Sequence, residues 1–323
     1  MFIKTNINIL VFIFTLCEEK FIIHENLDKL IIINLHKIFT QMNEPQQKWT
    51  ETIEADHSLF DLKLNEVWRY KDLVYMFVKR DFISSFKQTI LGPIWFFINP
   101  ILTTIVYLIV FGRIANLPTD GAPPLLFYLA GVTLWNYFSA CLLGTSSTFV
   151  GNASIFGKVY FPRLVTPLSI VISNLMRFAV QFLLFVLAWG YYFAKGDIHP
   201  NIWILATPLL IILMALFALG VGMIFSALTT KYKDLSMLLG FGVTLYMYAT
   251  PVIYPTSSLP GYFKKLAFYN PLTGIFECFK FAWLGVGDFS PAMLMVSTGI
   301  ILLLLAIGTV IFNKVEKTFM DTV

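Results

Sequence analysis

The stretch KRDFISSFKQTILGPIWFFINP, Lys79 to Pro100, decides how the rest of the chain is read. It opens as a basic amphipathic segment and runs without a linker into a long apolar span. Lys79, Arg80, Asp81 and Lys87 enter hydrocarbon only at high cost, whereas everything from Ile101 to Phe111 enters readily. The chain therefore meets a water–membrane boundary near Leu91-Gly92-Pro93, with its charge on the wet side. Retained Lys and Arg mark that side as the cytoplasm and set the orientation of every later segment.

Composition supports the same class. Of 323 residues, 57% are hydrophobic and 13% charged, with a mean hydropathy of +0.74. A soluble domain carries about 25% charged residues, so the expectation is an all-α integral membrane protein. Cys17, Cys141 and Cys278 are far apart and form no CxxC pair, which supports neither a disulfide framework nor a zinc site. His24, His36, His57 and His199 all lie outside the apolar spans, removing the commonest metal ligand and general base from the membrane interior.

Residues 1–41 are rich in Ile, Asn, Phe and Lys and contain neither Gly nor Pro. Ile7 to Cys17 resembles a signal-peptide core, but Cys17-Glu18-Glu19 offers no small-residue cleavage site. Phe14 to Cys17 is only a faint lipoprotein-like match. The segment is read as a non-native or disordered extension, with the natural start at Met42. Residues 42–90 form a cytoplasmic lead-in with amphipathic helices. From Leu62 to Lys71, Leu64, Val67 and Trp68 share one face, and Lys63, Glu66, Arg69 and Lys71 the other. That pattern suits an interfacial helix with Trp68 at headgroup depth, or a plain solvated amphipathic helix. Asp72 suits an N-cap for a second helix, Leu73 to about Lys87.

Residues 91–323 hold six expected spans, each near the roughly 20 residues a bilayer requires. They are about Leu91–Ile114, Leu125–Leu143, Leu164–Phe193, Trp203–Leu228, Leu235–Tyr254 and Met293–Phe312, followed by a charged tail, Asn313 to Val323. Assigned to alternate sides, the loops and flanks carry twelve Lys and Arg on one side against five on the other, which places both termini inside. Leu272 to Val286 is apolar but too short to cross, and Glu277 and Lys280 share one face of it. It is read as part of a re-entrant or interfacial helix pair on the outer side, with an ordinary extracytoplasmic helix as the alternative.

The first five spans contain no Asp, Glu or His in their interiors, which argues against proton- or sodium-driven transport. No G-x-x-x-x-G-K-[ST] phosphate loop occurs, so ATP coupling has to come from another polypeptide. Ser173, Arg177 and Gln181 recur every four residues, and Thr166, Ser169 and Asn174 extend that polar stripe. The stripe is either a pathway wall or inner gate, or helix–helix adhesion with Arg177 snorkelling to the interface. Tyr246, Tyr248 and Tyr254 on or just after the fifth span, and Tyr128, Trp135 and Tyr137 on the second, offer faces that stack on sugar rings. Interfacial belts and core packing account for most such aromatics.

The run VWRYKDLVYMFVKRDFISSFKQTILGPIWFFINP, Val67 to Pro100, resembles the permease subunits of polysaccharide-exporting ABC transporters of the O-antigen, teichoic-acid and capsule type. Four further stretches match: Phe156 to Arg163, Thr230 to Leu235, Thr250 to Pro255, and Asn270-Pro271 with Glu277. The resemblance begins at about Leu62 and leaves residues 1–41 outside.

It implies a homodimer of permeases with two ATPase subunits that bind ATP and Mg, no cofactor in this chain, a lipid-linked polysaccharide as cargo, and no nucleic acid. Asn152, Phe156, Lys158, Tyr160 and Arg163 then look like the coupling segment that docks on the ATPase, and Leu259 to Val286 like an outer gate containing Asn270, Pro271, Glu277 and Lys280. Arg69, Lys79, Arg80 and Lys87 become the expected entrance for a pyrophosphate headgroup, and Arg177, Gln181, Ser173, Tyr246, Tyr248 and Trp135 the expected pathway. Two other functions compete. One is an ABC permease for a drug, lipid or small molecule. The other is a membrane glycosyl- or acyltransferase using Glu277, Asp288 or His199.

Overall fold

The computed structural model describes residues 64–85, 87, 89–90, 92–159 and 161–322. The expected extension at 1–41, the lead-in up to residue 63 and the coupling residue Tyr160 lie outside the described residues.

Two short helices open the described chain, α1 (Leu64–Arg69) and α2 (Lys71–Ser84). The expected N-cap is corrected here: Tyr70 occupies the cap position without a side-chain bond, and Asp72 sits inside the first turn. There its carboxylate complements the positive end of the helix dipole instead of bonding the free N–H groups. Val67 is buried, whereas Trp68 is 75% exposed.

The first span starts with a 3-10 turn, Gly92–Ile94, continues as α3 (Trp95–Tyr107) and ends in a π-helical turn, Leu108–Ile114. The wider turn shows in the Ala115 N–H, which donates to Val110 O five residues back (2.9 Å). Within that turn, a Cβ at Gly112 would stand 3.4 Å from the Tyr128 ring of the next span. There follow α4 (Pro124–Ser146), α5 (Thr148–Phe156), α6 (Val165–Lys195) and α7 (Thr207–Lys231), the last preceded by a 3-10 turn, Ile202–Ala206. Gly196, at φ +80°, closes α6 in the left-handed conformation that glycine adopts without strain. The remaining helices are α8 (Leu235–Ala249), α9 (Gly261–Tyr269), α10 (Thr273–Leu284) and α11 (Pro291–Thr322).

Five of these segments are long and apolar enough to cross a membrane: 92–114, α4, α6, 202–231 and residues 291–316 of α11. The expected fifth of six spans is corrected. Its helix, α8, has 15 residues, about 22 Å at 1.5 Å per residue, against a hydrocarbon core of about 30 Å. Helix gives way to extended backbone at Thr250, the residue before Pro251, where proline disfavours the α conformation. Beyond the last span, α11 continues as helix into the expected charged tail, as far as Thr322. The expected helix pair between the fifth and last spans is α9 and α10.

The core gathers around α4. Most of its residues are buried, and it packs against α3, α6, α7, α8 and α10, whereas the first span shows most of its surface outward. Phe138 of α4 stacks on Phe217 of α7 (5.2 Å). The most extensive helix contact is between α7 and α11. A Cβ at Gly220 would lie 2.8 Å from Leu305 Cα, and Gly308 approaches the Gly220 backbone in return. Small residues that let two backbones meet replace the hydrophobic drive that is missing between helices in lipid.

Candidate functional site

The break in α8 poses a physical problem. Residues 250–253 are non-helical and buried, with Thr250 at 0% and Val252 at 1% exposure. Non-helical backbone inside a membrane protein persists only where protein satisfies its polar groups.

Two side chains of the α9–α10 hairpin perform that task. Asn270 Nδ2 donates to Ala249 O (3.2 Å) and to Thr250 Oγ1 (3.3 Å), while Asn270 Oδ1 accepts from the Tyr246 hydroxyl (2.6 Å). Lys280 Nζ donates to Pro251 O (2.6 Å) and, at longer range, to Tyr254 O (3.4 Å). The ammonium also lies 4.0 Å from the centre of the Phe127 ring on α4, an attraction that strengthens when the cation is desolvated. Tyr254 adds a bond from its hydroxyl to Tyr248 O (3.0 Å).

Lys280 and Glu277 are 1% and 0% exposed, with Nζ 3.9 Å from Oε1. Glu277 Oε2 accepts from the Asp288 N–H (3.1 Å). Asp288 is in turn ion-paired with Lys264 of α9. The buried pair thus ties the break in α8 to the turn that follows α10. Gly131 of α4 completes the seam, since a Cβ there would stand 2.5 Å from Val252 O.

Beside the seam lies a cavity of about 690 Å3 whose lining includes Tyr246, Tyr248, Tyr254, Phe263, Tyr269 and Asn270. The expected pathway residues Trp135 and Tyr246 meet near it, 6.1 Å between ring centres, and Tyr248 is half exposed. The seam therefore joins residues assigned to pathway and outer gate in the sequence. Phe127, Gly131 and the carbonyls of Pro251 and Tyr254 were not among them. For the two carbonyls the sequence carries a signal in the Thr250 to Pro255 stretch, whereas the approach of Phe127 and Gly131 depends on tertiary packing.

The polar stripe of α6 is turned into helix contacts. Ser173 is buried, and Gln181 Oε1 accepts from Asn136 Nδ2 of α4 (3.3 Å). Arg177 donates to Asn174 Oδ1 (3.0 Å) and to Ser85 Oγ, just past the end of α2. The Ser85 hydroxyl itself donates to Asp81 O (2.6 Å), so one guanidinium fastens α2 to the span.

Lys79, Lys87 and Arg69 are exposed, and so is Arg80, whose guanidinium pairs with neighbouring Asp81 (2.8 Å). Lys79 and Arg80 lie towards the end of α2 and Lys87 just beyond it, whereas Arg69 is on α1. In the expected coupling segment, Asn152 bonds back to Thr148 O (3.0 Å), Phe156 is buried and Lys158 is exposed. Arg163 donates to Glu316 O (2.6 Å) near the end of α11 and lies 5.6 Å from the Phe156 ring.

A transferase site would need an acid in an open cleft. Glu277 has no exposed surface, Asp288 is engaged by Lys264, and His199 stands apart on the surface with its backbone against Gly285.

Relatives align along most of this architecture. The chain is 28% identical over 251 residues to the O-antigen export system permease protein RfbA of Klebsiella pneumoniae, covering 77% of this chain and 94% of that protein. It is 26% identical over 265 residues to the protein of the same name from Myxococcus xanthus, covering 80% and 98%. Against the inner membrane transport permease YadH of Escherichia coli strain K12 the identity is 24% over 202 residues, covering 59% and 76%. The family model described as ABC-2 type transporter matches residues 72–284, from α2 through α10 and so across the break after α8 and the α9–α10 hairpin. This multi-pass helical membrane protein belongs to the ABC-2 type transporter family.

Proposed function

We propose that the chain is the membrane permease of an ATP-driven exporter of lipid-linked polysaccharide. It works as a homodimer with two ATPase subunits on the cytoplasmic face of the inner membrane. The carrying observation is its likeness to the two O-antigen export permeases over nearly their whole length. The cavity beside the seam supports the same reading. Its tyrosines present flat apolar faces and hydroxyls together, the combination that suits a sugar ring.

ATP and Mg belong to the partner subunits, because this sequence has no phosphate loop. The coupling segment from Asn152 to Arg163 receives the motion of the ATPase, and the seam closes the outer end. Both termini lie in the cytoplasm. The exposed Lys79, Arg80 and Lys87 gather the pyrophosphate of the carrier lipid at the inner surface, each as a cation near headgroup depth.

The test is export of surface polysaccharide by cells carrying Arg80→Glu with Lys87→Glu. Export is expected to fall at least about tenfold, the scale of two lost charge-assisted contacts, while the ATPase still co-purifies. Wild-type export from an intact complex would remove the entrance assignment. Drug sensitivity with unchanged surface polysaccharide in a deletion strain would replace the cargo.

A further inference from the structure

We propose that the Lys280 ammonium is a positioning group that latches the α9–α10 hairpin to the broken end of α8, so that this end of the permease stays shut only while the ammonium bridges the two. The inference does not depend on which cargo is carried.

Four observations converge on it. The Pro251 and Tyr254 carbonyls belong to backbone that has left the helix and has no i+4 donor of its own. One nitrogen reaches both of them, at 2.6 and 3.4 Å, from an adjacent element. The charge is enclosed, at 1% exposure, by Phe127 on one side and Glu277 on the other. Glu277 is fixed in its turn by the Asp288 N–H (3.1 Å), so the carboxylate cannot follow the ammonium outward without breaking a second bond.

The arrangement is bistable in a specific sense. Drawing α10 away from α8 separates a cation from two carbonyls and a ring, all in a dry site where each interaction is strong. No intermediate position satisfies the ammonium, so the hairpin is either seated or released. Asn270 makes the neighbouring bonds to α8 with a neutral amide, and those are the weaker members of the seam.

Cysteine reactivity tests this in the full chain, reconstituted in nanodiscs with its ATPase partner. Val252 is 1% exposed at the seam, so Val252→Cys reports on opening. Native Cys141 of α4, 0% exposed and outside the seam, reports on general loosening. A membrane-impermeant maleimide is applied and each site is read by peptide mass spectrometry. In the Lys280→Met background, which keeps the apolar stem and removes the charge, labelling at residue 252 is expected to rise at least about tenfold, as for a local opening. Cys141 stays slow, and Lys280→Arg keeps residue 252 protected. Protection of residue 252 in a folded Lys280→Met protein would overturn the latch, and so would equal acceleration at both cysteines. Should Lys280→Met fail to fold, Lys280→Gln takes its place with the same criteria, because it removes the ammonium from the Pro251 and Tyr254 carbonyls but leaves a polar group in the seam.

Discussion

Gly131 carries a requirement that its neighbours on α4 do not. The Val252 carbonyl passes so close that even a methyl group would stand 2.5 Å from its oxygen. Because the carbonyl belongs to buried backbone, it has little room to retreat. Gly131→Ala is therefore expected to destabilise the protein by about 1–3 kcal/mol, the usual range for overpacking, read as a lowered unfolding temperature in detergent. An unchanged melt would mean that the seam is slack. Little of this was legible in the sequence, where a glycine in an apolar helix has many meanings. Lys280 was legible only halfway. Its spacing from Glu277 brought the two side chains to one helical face, and the ion pair follows from helix geometry. That the same ammonium would also bridge Pro251 and Tyr254 depends on the packing of α10 against α8, and no local pattern encodes that approach.

At the scale of elements, α2 is bound to α6 through Arg177, Ser85 and Asn174. Arg177→Met keeps much of the stem but loses both hydrogen bonds. It is expected to release the end of α2 and to raise trypsin cleavage at Lys79, Arg80 and Lys87 severalfold in the purified protein, as for a loosened local unit. Unchanged proteolysis would show that apolar packing alone holds α2. The long spans were readable because each is a run of apolar side chains bounded by charge, and hydropathy reports that directly. The early end of α8 was hidden for the same reason. Pro251, Val252, Ile253 and Tyr254 keep the composition apolar while the backbone leaves the helix. Asp72 misled in a different way. A capping residue and a first-turn acid look alike in sequence, and the kink at Tyr70 decides between them.

For the whole molecule, the number of crossings turns on α8. Five long segments alone would leave the two ends of the described chain on opposite faces, whereas a crossing by α8 with its extended continuation would return them to one. Single cysteines replacing Lys79 and Lys314, both exposed, are expected to react with an impermeant thiol reagent from the same face of sealed vesicles. Reaction from opposite faces would mean that α8 enters without crossing. Glycine contact between α7 and α11 has its own consequence at this scale. Where two backbones touch at Gly220 and Gly308, neither helix can slide or roll without collision. They form a pillar of two fused staves, so any change of shape has to take place in the parts that lean on it.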